Sequence, residues 1–449
     1  MLYSFSKFTE RHSKISASVL YSIFFLALFI QFPLKKALSG NCDTWLALTY
    51  SGHTLEVIKS FFTGGKYGMP MYPVENPLAY GESAPGVQLF IMLLRSFGLY
   101  DHWINYFYIS AIFALTALSI FIFTGNFSKS FPARLFAGFV FTCSNMSFAH
   151  IDDSIIVFFF IPVLSMHYLW KWFGNRKRAF LITSSVLAGI EIYFSFYVFF
   201  YQFLMLAVLV IYLWRTENLS VKELLKPAGT FLAISFIISA PHFLIYLYTL
   251  YGLDFITPFE MLYTAKMASL NPVDLLLVLP DNLIYPNIGE KLGMPMNWGF
   301  VRHYNFTGFL APLLFTYSLF SWNRHRKLLI ALAVTGVFFA MGPVFMFNME
   351  EVIYSPLYIF YKWIPVFSFL RVAVRAHFIF LFAVSIGAAL TFEKALEKIK
   401  LPALAALIFF VFHFAENTPF PLKSFDASLT QEAPQIYEVI RMKDPGALV

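Results

Sequence analysis

The sequence predicts an all-α, polytopic membrane protein, and three observations carry that expectation. Of 449 residues, 59% are hydrophobic and only 13% charged, about half the roughly 25% typical of a soluble globular chain. The apolar residues fall into runs of about 20, the length that crosses a bilayer. Lys and Arg gather in short clusters between those runs, as the positive-inside rule expects. The formal charge of +7 is therefore a topology signal and gives no reason to expect a nucleic-acid partner.

Lys7, Arg11 and Lys14 precede the first run, Ile15–Phe32. A cleaved signal peptide and a retained signal anchor share that pattern. Leu38-Ser39-Gly40-Asn41-Cys42 nearly spells a lipoprotein cleavage box, but Asn41 separates Gly40 from Cys42, which favours an anchor kept as the first helix. About eleven spans follow from the run lengths, near 15–34, 104–124, 132–150, 153–173, 179–193, 196–214, 228–248, 304–322, 327–343, 369–391 and 401–415. Residues 86–98 are too short to cross and contain Arg95, so they read as a surface or partly inserted helix. Phe180–Trp214 as one helix would be about 50 Å long, well beyond the ~30 Å hydrocarbon core, so a break is expected at Glu191-Ile192-Tyr193-Phe194-Ser195.

Alternation of these spans puts Lys129/Arg134, Lys171/Arg176/Lys177/Arg178, Arg215/Lys222/Lys226, Arg324/Arg326/Lys327 and Lys394/Lys398/Lys400 on one side with the N-terminus, the cytoplasm. Lys35 and Lys36 are the exception. The other face receives the loops 35–103, 249–303 and 343–368 and the tail 416–449. Residues 1–415 thus form one transmembrane domain, with the C-terminus outside.

Within the first outer loop, Gly40–Gly86, the residues Trp45, Leu46, Leu48, Leu55, Val57, Ile58, Phe61 and Phe62 alternate with Thr49, Ser51, His53, Glu56, Lys59 and Ser60. That pattern suits amphipathic helix lying on a membrane surface. The following Gly64–Pro77 stretch is too rich in Gly and Pro for a regular element. Cys42 and Cys143 allow at most one disulfide, and Cys143 lies within an apolar run, so both are expected as free thiols. The ten histidines are scattered without ligand spacing, and neither a cofactor nor a divalent cation is indicated.

Charges at membrane depth are costly and commonly functional, which keeps the candidates few. Asp43 either caps a helix beginning at Thr44 or acts as a catalytic carboxylate. His150, Asp152 and Asp153 lie between the third and fourth spans, where Asp153 can cap the next helix or the cluster can bind sugar hydroxyls or a cation. Arg371 and Arg375, four apart, project from one face if the segment is helical. Two guanidiniums there suit phosphate or pyrophosphate, with snorkelling to lipid headgroups as the alternative. Arg302 and His303 are a weaker version of the same idea. Glu191 is the one acid in its long apolar segment, either a ligand group or a structural acid at the helix break.

In order along the chain come an acid after helix one (Asp43), Tyr72-Pro73-Val74-Glu75-Asn76-Pro77, Ala149-His150, Pro162, Asn271-Pro272-Val273-Asp274-Leu275-Leu276, Leu279-Pro280-Asp281-Asn282, Tyr304-Asn305-Phe306-Thr307-Gly308-Phe309-Leu310-Ala311-Pro312-Leu313 and Phe369-Leu370-Arg371-Val372-Ala373-Val374-Arg375. This arrangement resembles the GT-C superfamily of polyprenyl-phosphate-dependent glycosyltransferases, and within it the bacterial YfhO-type membrane proteins, over roughly residues 15–390. The resemblance implies a multi-pass protein of the bacterial cytoplasmic membrane. It also implies transfer of a sugar from a polyprenyl-phosphate donor to an envelope glycan, lipid or protein acceptor, with Asp43 as base and Arg371 and Arg375 at the donor phosphate. A transporter or flippase of a lipid-linked substrate is the alternative, and a non-catalytic scaffold a third reading.

Overall fold

A computed structural model of the chain describes residues 12–30, 36–38, 84–151, 159–252, 258–279, 281–286, 288–291, 304–321, 324–347, 350–364, 367, 370, 372–420, 422 and 424–426. These residues are mostly helical, with strands confined to two small two-stranded sheets. The principal helices are α1 (Ser13–Phe29), α2 (Pro85–Ser96), α3 (Asp101–Thr124), α4 (Phe131–Thr142), α5 (Asn145–Ala149), α6 (Phe160–Asn175) and α7 (Arg178–Ile190). They continue as α8 (Phe196–Thr216), α9 (Val221–Gly252), α10 (Pro258–Met267), α11 (Leu310–Phe320), α12 (Arg326–Ala340), α13 (His377–Lys398) and α14 (Pro402–Asn417). Four segments, Trp103–Thr124, Phe196–Thr216, Val221–Leu244 and Ala373–Lys398, are long and apolar enough to cross a membrane. α1, α4, α11 and α14 are shorter apolar helices.

Most helices overlap a predicted apolar run, but α10 falls within the expected loop 249–303, and among the described residues four segments rather than eleven are long and apolar enough to span. α9 extends well past 228–248 because Pro227 and Pro241 are accommodated inside it, as proline is in membrane helices whose freed carbonyls find other partners. The predicted span 132–150 divides into α4 and α5, where Ser144 turns the chain and its hydroxyl accepts the Ser147 N–H at 3.1 Å. Residues 85–96 form the short helix expected there. The break expected at 191–195 is present as a 3-10 turn, Glu191–Tyr193, after which the Ser195 side chain accepts the Val198 N–H and starts α8.

α13 is the hub. It packs against α4, α11 and α12, and its surface carries Ser385, Gly387, Ala388 and Ala389, small residues that let helices approach. Gly336 of α12 lies directly on the backbone of Phe380, so that a Cβ there would collide with main chain. Gly336→Val is expected to cost about 3 kcal/mol, the upper end for overpacking, seen as a lower unfolding temperature in detergent. Val334→Ala, two residues away at a site 61% exposed, should stay within about 0.5 kcal/mol of wild type. α9 is the opposite case: only 17% of its apolar window is buried, which leaves its flank for lipid.

One end of the bundle is tied together by amide side chains. The Asn145 Nδ2 donates to the carbonyls of Tyr304 at 3.1 Å and Leu277 at 3.3 Å, while its Oδ1 accepts the Leu279 N–H at 2.9 Å. Asn282 donates to the Glu416 carbonyl at 2.9 Å and accepts from the Ile284 and Tyr285 N–H groups. Asn271 and Asp274 form a reciprocal capping box. Glu416, fully buried, accepts the N–H groups of Phe309 and Leu310 at the start of α11. Lys36–Leu38 pairs antiparallel with Ser424–Asp426, which brings the two segments flanking the bundle to this same end. The motifs around residues 271–282 and 304–313 thus have a structural use in this protein: they seat connecting segments on helix ends.

Candidate functional site

The end of the bundle that holds this network also gathers the described candidates. His150 ends α5, its N–H bonded to the Met146 carbonyl at 3.1 Å. Its ring is buried against Phe378, with centroids 6.0 Å apart. Phe378 opens α13 three residues after Arg375. The Arg375 guanidinium lies over the Tyr197 ring, 4.3 Å from its centroid. Tyr197 sits in the first turn of α8, six residues after Glu191. Glu191, 0% exposed, occupies the 3-10 turn, where its carbonyl accepts the N–H groups of Phe194 and Ser195, each at 2.9 Å. Two side-chain contacts, His150 on Phe378 and Arg375 on Tyr197, thus lie at this end, and Glu191 sits in the turn six residues before Tyr197.

Local sequence explains this geometry. The helix break is held from both sides, by Gln202 Nε2 donating to the Ala188 carbonyl at 2.7 Å and by the Tyr193 hydroxyl donating to Ile238 at 2.8 Å. The Phe194 ring packs on the backbone at Gly86, which docks α2 beside the break. Around Arg375, the Tyr361 hydroxyl donates to the Leu370 carbonyl at 2.9 Å and the Tyr201 hydroxyl to that of Val372 at 3.4 Å. The Val374 N–H bonds to Ala268 at 2.9 Å. Burial, with Tyr197 adding, raises the Tyr361 pKa, so this phenol remains a donor. Nearby, Lys266 pairs with Glu351 at 2.9 Å. Burial works against its charge, but Glu351 and Tyr354 outweigh it and hold the ammonium above its ordinary value.

One expectation needs correction. Arg375 belongs to a 3-10 turn, Ala373–Ala376, and α13 begins only at His377. Val372 is not helical, at φ −115° and ψ 75°, so the α-helix expected to start near 369 begins eight residues later, at His377. The physical reason is that tyrosine hydroxyls bond the carbonyls of Leu370 and Val372 and Ala268 takes the Val374 amide, groups that an α-helix would pair within itself.

Asp43, Asp152, Asp153, Arg302, His303 and Arg371 lie outside the described residues, as do Cys42 and the amphipathic stretch of the first outer loop. Cys143 is a buried free thiol. Among the described residues no group of His, Cys, Asp and Glu is arranged to hold a metal ion. Sequence reasoning missed two residues, Tyr197 and Glu416. An aromatic one turn into a helix after an acid-bearing break is a signal for the first; the second has no local signal. No protein-family model matches the chain, and no curated protein matches it.

Proposed function

We propose that the protein is a membrane glycosyltransferase of GT-C type, which moves a sugar from a polyprenyl-phosphate donor to an envelope acceptor on the outer face of a bacterial cytoplasmic membrane. In this reading about eleven spans cross the bilayer, with the N-terminus inside and the C-terminus outside. The observation that carries it is a fully buried acid, Glu191 in the turn before α8, at the same end of the bundle as a half-buried guanidinium, Arg375 in the turn before α13, which lies over the Tyr197 ring.

Asp43 removes the proton of an acceptor hydroxyl as its oxygen attacks the anomeric carbon. The bond from that carbon to the phosphate oxygen breaks, and the polyprenyl phosphate leaves as a stable anion, so no nucleotide is needed. Direct displacement inverts the anomeric centre. Arg371 and Arg375 stabilise charge on the departing phosphate, while Glu191 and His150, with Asp152 and Asp153, bind sugar hydroxyls, and Arg302 and His303 extend the anion site. Tyr197 fixes the plane of Arg375. A cation–π contact is worth about 1 to 2 kcal/mol when partly desolvated. Tyr197→Leu should therefore raise the donor KM about fivefold to thirtyfold, and Tyr197→Phe should leave it near wild type.

The broken helix at Glu191 is also a feature that a carrier of lipid-linked cargo uses. One experiment separates the readings. Reconstituted protein is given a labelled polyprenyl-phosphate sugar and an acceptor extract. A transferase releases polyprenyl phosphate, a flippase relocates the intact donor, and a scaffold does neither.

A further inference from the structure

The end of the bundle opposite the candidate site holds a cavity of about 490 Å³, within the range of about 300–1,000 Å³ typical of small-molecule sites. It lies some 25 Å along α13 from the Arg375 end, at 1.5 Å per residue. Its lining carries charges of both signs: Arg324 and Lys394 are cationic, Glu393 and Glu397 anionic. Among the described residues no ion pair joins any of these four. Glu393 and Glu397 are four apart on one helix, an arrangement of like charges that weakens a helix when nothing lies between them.

The hydroxyls of Ser318 and Ser321 also line the cavity. Each donates to a backbone carbonyl one turn earlier, Ser318 to Phe315 at 2.7 Å and Ser321 to Ser318 at 3.3 Å. Both hydroxyl protons are thus used within α11, which leaves their oxygens as acceptors. The apolar wall is Phe127 and Leu390. On the same helix, Leu313, Tyr317 and Phe320 form an exposed stripe, 68%, 55% and 82% accessible. Spaced i, i+4, i+7, they form one apolar face of α11, the helix whose C-terminal end, at Ser318 and Ser321, lines the cavity.

We infer that this cavity binds the headgroup of an aminophospholipid, with the phosphate between Arg324 and Lys394, the primary ammonium between Glu393 and Glu397, and the acyl chains along the α11 stripe. Paired carboxylates and serine oxygens accept N–H hydrogen bonds, which a primary ammonium supplies and a quaternary one does not. A choline headgroup would instead call for an aromatic cage, and here Phe127 is the sole Phe, Tyr or Trp ring in the lining. The apolar stripe distinguishes a lipid from a soluble amino-phosphate. This site is independent of the glycosyltransferase reading.

The test is native mass spectrometry of the full chain in detergent, titrated with phosphatidylethanolamine, phosphatidylcholine and phosphatidylglycerol of matched acyl chains. Wild type is expected to retain phosphatidylethanolamine about tenfold better than either of the others. Glu393→Gln/Glu397→Gln should remove that preference, and Arg324→Gln/Lys394→Gln should lower retention of all three lipids. If a double variant elutes as aggregate, Lys394→Gln alone serves. Equal retention of the three lipids by wild type, or an unchanged preference in the variants, overturns the assignment. Displacement of the lipid by an equal concentration of free O-phosphoethanolamine overturns its lipid part.

Discussion

Asp43→Asn is expected to reduce sugar transfer about a thousandfold, the middle of the range for losing a general base, while yield and thermal unfolding stay at wild-type values. The substitution is chosen because it separates the two roles open to this residue. Asn caps a helix about as well as Asp, so a purely capping Asp43 would tolerate the change in both assays. A carboxamide has the size of a carboxylate but does not accept the hydroxyl proton at neutral pH. Wild-type transfer by this variant removes Asp43 from the chemistry. Loss of transfer together with a lowered unfolding temperature would instead assign it to the fold.

The second large effect concerns stability. Glu416→Ala is expected to destabilise the protein by about 3 kcal/mol, measured as thermal unfolding in detergent. The Glu416 carboxylate accepts the N–H groups of Phe309 and Leu310 at the start of α11. Removing it leaves two donors without their acceptor, and a buried unsatisfied group costs about 1–3 kcal/mol. Glu416→Gln retains one acceptor oxygen and should cost about 1 kcal/mol. Gly308 tightens the same site: it has φ +76°, and a Cβ there would press on the Glu416 carboxylate. Gly308→Ala should therefore resemble Glu416→Ala more closely than Glu416→Gln does. If both Glu416 variants unfold with wild type, the network at this end does not hold α11 in place.

Apolar run length made the helices legible, and the length of Phe180–Trp214 made even the break at Glu191 legible, because both follow from local geometry. Other features depend on partners far away in sequence. The Asn271-Pro272-Val273-Asp274 and Asn305–Phe309 stretches are recognisable as patterns, yet their use emerges only when Asn145 bonds residues 132 and 159 positions away. Glu416 reads as the first polar residue after a span; its partners lie 106 and 107 positions back. The segment before α13 carries helical spacing, but hydroxyls from Tyr201 and Tyr361 claim the carbonyls of Val372 and Leu370, and tertiary contacts win over periodicity around Arg375. His150, Glu191 and Arg375 stand out in the sequence because burying polar groups in an apolar chain is expensive. That same rule says nothing of what they bind.

The central claim is a single displacement at an anomeric carbon, and the most direct measurement is NMR of the product made by wild-type protein from an isotopically labelled polyprenyl-phosphate sugar. The account predicts one polyprenyl phosphate released per glycosylated acceptor, with the anomeric configuration inverted relative to the donor. Recovery of the donor intact, or a product of retained configuration, would contradict it.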